Sequence, residues 1–450
     1  MSTLLSRGRR RDSYRPGTAI QHWTPEDPGF WAATGARVAA RNARIAAPAL
    51  LLACAVWQLW SVTVVQLDRA GFGYSGSQRF WLTAVPGLTG ATLRLGYTLL
   101  GPVAGGRRWT AASTALLIGP LLWLGLAVRD PATPYPVMVA IAALCGIGGG
   151  SFAASMAGVA RLYPGRLSGA ASLRHAAVGT LGVAAVQLLA TIAITTGILA
   201  PAGGPGERRG GPELWLPNSA FRWIPLLVLT AGLAWSLMND FVPRAAWLEK
   251  PRAVYRLKHT WLLTLLQLGT FGSFIGFAAA FPNLIDTTFT PLDPAWSATR
   301  YAWTGPFVGV LAQWLGGRPG ARMSGARCTL ISFAGMALAA IVAVRALPGD
   351  GDGGNFWLCW AGFLGVFLFA GLGNGSTLRQ LRAVFGGRHR TASAVAGLST
   401  AIAAYGGFFI PSMLALLPIT DLLYVLVGYY ALCLGICWWY YAREGAQAPG

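Results

Sequence analysis

Ile45-Ala-Ala-Pro-Ala-Leu-Leu-Leu-Ala-Cys-Ala-Val-Trp-Gln-Leu-Trp-Ser-Val-Thr-Val-Val65 is 21 residues long and contains no charged side chain. As an α-helix, rising 1.5 Å per residue, it would be about 30 Å long, the thickness of a bilayer's hydrocarbon core. It does not alternate apolar with polar residues, as a strand of a membrane barrel would. Backbone N–H and C=O groups cannot go unpaired in lipid, so a continuous apolar run has to be a helix. Working outward, the same reading recurs along the 450-residue chain. Apolar runs lie near 44–66, 80–103, 110–129, 135–160, 168–196, 221–242, 260–283, 296–317, 326–346, 355–384, 391–413 and 420–442. The expected fold is all-α integral membrane, with twelve transmembrane helices. Composition agrees: 54% of residues are hydrophobic and 11% charged, against about 25% charged in a soluble domain.

The charges lie in the gaps, and they alternate. Gaps after odd-numbered spans are nearly balanced, as in Asp68 with Arg69 and Arg79, or Arg345 with Asp350 and Asp352. Gaps after even-numbered spans are basic: Arg107 and Arg108; Arg161 and Arg166; Arg244, Lys250, Arg252, Arg256 and Lys258; Arg318, Arg322 and Arg327; Arg388 and Arg390. The N-terminal tail adds Arg7 through Arg15. By the positive-inside rule both termini are expected in the cytoplasm of a cell-membrane protein. The longest basic gap divides the chain into a cytoplasmic tail at 1–43, a six-helix half at 44–242, a linker at 243–259, a second half at 260–442 and a tail at 443–450. That is the layout of two halves facing a central path. The tails show no periodicity and are read as unstructured, apart from an aromatic patch around Trp23 and Trp31. Pro201–Pro217, rich in Gly and Pro, is expected to be a flexible external connection. The polar, arginine-rich first forty residues are not a secretory signal, so the first span is expected to direct targeting itself.

Several function classes fall away. A net charge of +20 suits nucleic acid only if it forms a solvated face, and here it marks topology. The six cysteines lie in or beside apolar runs and read as small buried hydrophobes. His22, His175, His259 and His389 are too dispersed for a metal site. No phosphate-binding loop and no catalytic constellation is present, so neither an enzyme nor a cofactor is expected.

Arg94 interrupts the second span, in Gly90-Ala-Thr-Leu-Arg-Leu-Gly-Tyr97. A charge at that depth costs several kcal/mol, roughly 3 on insertion scales, and is kept where it faces a cavity or a partner. No Asp or Glu lies well inside any of the twelve runs. Either the partner is a mobile anion, which the guanidinium fork suits, or Arg94 caps backbone carbonyls. Glycine clusters form a second feature: Gly146-Ile-Gly-Gly-Gly150, Gly179 with Gly182, Gly371-Leu-Gly-Asn-Gly375, and Gly406-Gly407. They permit close helix packing, or a sliding interface between halves.

These clusters carry a resemblance. Trp23-Thr-Pro-Glu-Asp-Pro-Gly-Phe-Trp31, Gly90-Ala-Thr-Leu-Arg94, Gly149-Gly-Ser-Phe-Ala-Ala-Ser-Met156, Thr270-Phe-Gly-Ser-Phe-Ile-Gly-Phe277, Gly371-Leu-Gly-Asn-Gly-Ser-Thr377 and Gly397 to Pro411 occur in order. Together they resemble the nitrate/nitrite porters of the major facilitator superfamily, from about residue 22 to 440. The resemblance implies that Arg94 is one of two arginines binding the anion, and that Phe152 and Phe271 sandwich it from the two halves. It implies that Gly179, Gly182, Gly406 and Gly407 belong to helices that slide during alternating access. The chain also departs from the family pattern. Gln313 stands at the second arginine, Gln267 at a tyrosine, His175 and Thr180 at two asparagines, and Ala321 at a loop aspartate. Arg379 offers a substitute for the missing charge, or is an ordinary arginine at the cytoplasmic end. His175 offers a proton carrier, or is a satisfied polar residue.

The resulting expectation is a secondary transporter of a small inorganic anion, nitrate or nitrite, working as a monomer by uptake or exchange. The alternatives are a carrier of a different, organic anion and an anion-sensing membrane protein that does not transport.

Overall fold

The computed structural model describes residues 14–99, 106–196, 214–241, 252–318, 323–349, 354–385 and 389–448. The loop expected at 201–217, most of the linker at 243–259, Ala321 and the first 13 residues fall wholly or largely outside these. Among the described residues the chain forms twelve helical spans: α1 (Pro28–Leu67), α2 (Gly76–Leu99), α3 (Arg107–Ala127), α4 (Tyr135–Leu162), α5 (Gly165–Thr196), α6 (Asn218–Leu237), α7 (Lys258–Thr288), α8 (Thr304–Gly316), α9 (Gly325–Ala346), α10 (Phe356–Val384), α11 (Thr391–Leu416) and α12 (Ile419–Ala442). Ten of them are long and apolar enough to cross a membrane. The exceptions are α2, which carries two arginines, and α8, which has 13 residues.

Helices α1–α6 and α7–α12 form two groups, which meet where α2 crosses α11, α5 crosses α8, and α1 and α2 approach α7. The outer surface exposes large apolar side chains such as Leu126, Leu229, Trp235, Leu338, Leu416 and Leu432, a belt suited to lipid. All six cysteines are free and buried.

The N-terminal expectation needs correction. The first helix starts at Pro28, with Asp27 capping it by accepting from Gly29 N, not near residue 44. Its 40 residues make it about 60 Å long, so it overhangs the membrane at the end bearing the termini. The preceding residues are ordered too. Ala19–Ile20 (β1) pairs in parallel with Asp240–Phe241 (β2), just past α6. Trp23 is 3% exposed and donates to Arg161 O at 3.2 Å, while Glu26 accepts from Gly165 N at 2.8 Å. Asn239 bridges Asn42, Arg41 and the carbonyls of Arg15 and Thr18. The aromatic patch is therefore the core of a clasp across the ends of α1, α4, α5 and α6. It leaves no apolar period in the sequence, because its rings pack on partners far along the chain, Trp23 on Phe241 and Trp31 on Tyr163.

Candidate functional site

Arg94, on α2, is 0% exposed and lies at the seam between the groups. Nε and Nη2 donate to Gly149 O on α4 at 3.2 and 3.1 Å, and Nη1 donates to Thr400 O on α11 at 3.3 Å. The guanidinium carbon sits 4.5 Å from the Phe152 ring centre, 5.1 Å from Trp57 and 5.7 Å from Phe271. Aromatic faces are the negative part of the ring quadrupole, and a desolvated cation over one gains about 2 kcal/mol. Carbonyls and rings together thus hold the charge. Among the described residues no carboxylate forms an ion pair with it; the ion pairs found there engage Arg69, Arg79, Arg107 and Arg108.

The glycine cluster on α4 makes this arrangement possible. A Cβ at Gly149 would lie 2.6 Å from the Trp57 indole, and one at Gly90 would lie 2.7 Å from its Nε1. The indole slots between α2 and α4 and donates to Pro86 O at 2.8 Å. The flat wall it presents to Arg94 exists only because neither helix has a side chain there.

Phe152 on α4 and Phe271 on α7 face each other across the seam, their ring centres 6.4 Å apart and their planes inclined by 31°. The expected pair is therefore brought together beside Arg94. Phe271 lies in a π-helical turn, Leu268–Gly272, within α7. Such single turns widen a helix and often occur at functional sites.

The glutamines take separate positions. Gln313 on α8 accepts from Thr180 Oγ1 on α5 at 2.9 Å, a hydrogen bond between the halves. Gln267 on α7 stays within its own half: Nε2 donates to Asn374 Oδ1 at 2.6 Å, and Oε1 accepts from Thr377 Oγ1, both on α10. Arg379 is not brought to Arg94. It donates to the carbonyls of Arg318 and Met323 beside the α8–α9 connection, at 3.2 and 3.0 Å. It caps chain ends there and supplies no second central charge. His175 on α5 is buried and pairs with Ser155 Oγ of α4 at 2.7 Å, inside the first half. Among the described residues no cluster of three or more His, Cys, Asp or Glu side chains is placed to hold a metal.

The signature glycines divide. Gly179 packs on Leu50 and near Phe152, and Gly182 on Leu51 O, so both seat α5 on α1. Gly406 seats α11 against Gly272 of α7 within the second half. Gly407 alone lies at the seam, its carbonyl against Gly87 of α2. The sequence reading missed Trp57, the carbonyls of Gly149 and Thr400, and Asn374 and Thr377. Only Asn374, a lone amide amid glycines, carried a signal in the sequence; carbonyl ligands leave none.

Two six-helix groups around a buried cation at their seam define a multi-pass membrane transporter of the major facilitator fold. The fold matches solved transporters: a D-xylose–proton symporter at TM-score 0.63 and 16% identity, over 89% of this chain and 97% of that one, and a bacterial Spinster homologue at 0.58 and 14%, over 88% and 95%. No family model matches the chain. Its sequence is 39% identical to the nitrate/nitrite transporter NarU of Escherichia coli (strain K12), over 94% of this chain and 96% of that protein. It is 38% identical to the probable nitrate/nitrite antiporter NarK2 of Thermus thermophilus, over 96% and 98%. The chain belongs to the nitrate/nitrite transporter family, and it is not an enzyme.

Proposed function

We propose that the chain carries nitrate and nitrite through the cell membrane by alternating access, exchanging one anion for the other. The observation that carries this reading is Arg94: a fully buried guanidinium at the seam, held by carbonyls and rings and, among the described residues, by no carboxylate. The names of the relatives at 38–39% identity point to the same cargo.

In the described state both ends of the seam are closed. Toward the termini Thr180 bonds Gln313, and Leu173 of α5 packs on Gly317. At the far end Gln187 of α5 donates to Ala278 O of α7 at 2.7 Å, and Arg69 and Arg79 meet Asp286. The Arg94 bond to Thr400 O also crosses the seam, and at 3.3 Å it is long for a charged donor. When α2 and α11 part, Nη1 loses this acceptor and points into the gap between Phe152 and Phe271. A planar oxyanion can then take two donors from the fork, with the rings excluding water from its faces. Gln313 and Thr180, released from each other, supply neutral polar contacts that suit a monovalent anion.

An unladen carrier that closes must return Arg94 Nη1 to the long bond with Thr400 O and leave the charge without a counter-ion, whereas a laden one closes around a neutralised pair. That difference favours exchange over unidirectional release. His175, tied to Ser155 within one half, is assigned no proton-carrying role. The charge asymmetry of the loops supports a reading with both termini in the cytoplasm, and a seam site built from one chain's own helices supports a monomer.

The deciding experiment is nitrate uptake into proteoliposomes, loaded with nitrite or left empty. Uptake confined to loaded vesicles is expected, as is a rate insensitive to His175→Asn. Equal uptake into empty vesicles, driven by an imposed proton gradient, would show symport instead. Competition by organic anions at equal strength would show a different cargo.

A further inference from the structure

Charge gathers a second time at the end of the seam far from the termini. Arg69, in the connection after α1, and Arg79, in the first turn of α2, converge on Asp286 in the last turn of α7. Arg69 Nη2 lies 3.4 Å from Oδ1 and Arg79 Nη1 3.2 Å from Oδ2. The arginines belong to the first half and the carboxylate to the second. Their side chains are 30%, 13% and 12% exposed, so two cations share one anion in a largely covered position. Arg79 Nε is buried there with no hydrogen-bond partner.

A second observation concerns the stretch of seam leading inward from this triad. Along α1, α5 and α7 it is built of amides and hydroxyls. Gln187 donates to Ser61 Oγ and, across the seam, to Ala278 O; Gln66 accepts from Arg69. Several of these groups are under-satisfied: Gln58 Oε1, Gln66 Nε2, Gln187 Oε1 and both ends of the Asn283 amide are buried without a partner. A buried polar atom left unpaired costs free energy, so apolar residues would seal this stretch more cheaply. Amides are warranted if the stretch is a path that water and a small anion occupy when the halves part.

We propose that Arg69 and Arg79 form an outer capture site for a small inorganic oxyanion, and that Asp286 occupies it as an internal substitute ligand when that end is closed. On opening, Asp286 leaves with α7 while both guanidiniums stay with α1 and α2 and face the mouth of the path. The anion pairs with them first, then passes the Gln66, Gln187 and Gln58 amides to Arg94. The emptied arginines take back Asp286, and the end closes. This rests on the transport reading above.

The test is the concentration dependence of nitrate–nitrite exchange in proteoliposomes, with nitrate offered to one face at a time. Asp286→Asn removes the competing ligand and keeps its size, so the apparent KM from the far face should fall about three- to tenfold, the equivalent of a partly buried ion pair. Arg79→Gln and Arg69→Gln should raise it by a similar factor and leave the KM from the opposite face within about twofold. A simple latch predicts otherwise, because breaking it from either side has one effect. Parallel KM shifts in Asp286→Asn and Arg79→Gln, or none, would overturn the capture site while leaving the transport reading intact. If Arg79→Gln does not fold, Asp286→Asn decides alone, an unchanged or raised KM overturning the proposal. Absence of exchange by the unmodified protein would overturn both readings.

Discussion

Arg94 shows how much one residue decides. Its three donating nitrogens and the Phe152 face stabilise a charge that lipid alone would reject. Replacing it with Gln should weaken nitrate binding by about 10- to 100-fold, since charge-assisted hydrogen bonds contribute about 1.5–3 kcal/mol each; tryptophan-fluorescence titration of the purified protein would measure it. Arg94→Lys should not restore affinity, because an ammonium lacks the planar fork. Gly149 is the companion case. An alanine there would push into the Trp57 indole, and overpacking of this kind costs about 1–3 kcal/mol. A lower melting temperature in detergent, with nitrate affinity reduced as the indole tilts, is the expected result. Arg94 was legible as an uncompensated charge in an apolar run. Gly149's duty was not, because any of the clustered glycines meets the requirement for close packing.

Among the elements, α1 and the segment before it depart furthest from the hydropathy reading. Hydropathy finds where lipid begins, not where a helix begins, so residues 28–43 read as tail although they continue the helix. Trp23 and its hydrogen bond to Arg161 O join the N-terminal segment to the last turn of α4. Trp23→Ala should cost about 3–5 kcal/mol of local stability, seen as faster hydrogen exchange at the ends of α1 and α6 and a lower melting temperature. The π-helical turn at Leu268–Gly272 was equally invisible. It shares its composition with an ordinary helical turn, and its glycines sit close against Phe333 and the α11 backbone.

For the whole molecule, the two closed ends of the seam define a balance between states. Thr180 donating to Gln313 is a neutral hydrogen bond between halves, worth about 0.5–1.5 kcal/mol net. Thr180→Val should therefore shift the population toward opening at the end with the termini by about two- to tenfold. The reactivity of a cysteine placed by Leu173→Cys, where Leu173 packs on Gly317, would report it. An unchanged labelling rate would show that this bond does not hold the end shut.

By itself the sequence determined the membrane class, the all-helical architecture and the buried cation at Arg94, because uncharged runs of bilayer length admit only helices and a charge among them needs a reason. It also placed Phe152 and Phe271 through resemblance. Only the tertiary structure decided which groups surround that cation, that Arg379 lies away from it, that His175 is paired within one half, and that Arg69 and Arg79 meet Asp286 across the seam. The physical reason is one of range. Hydropathy is a local property of consecutive residues, whereas these partners lie far apart in the chain and are joined only when two halves close on each other.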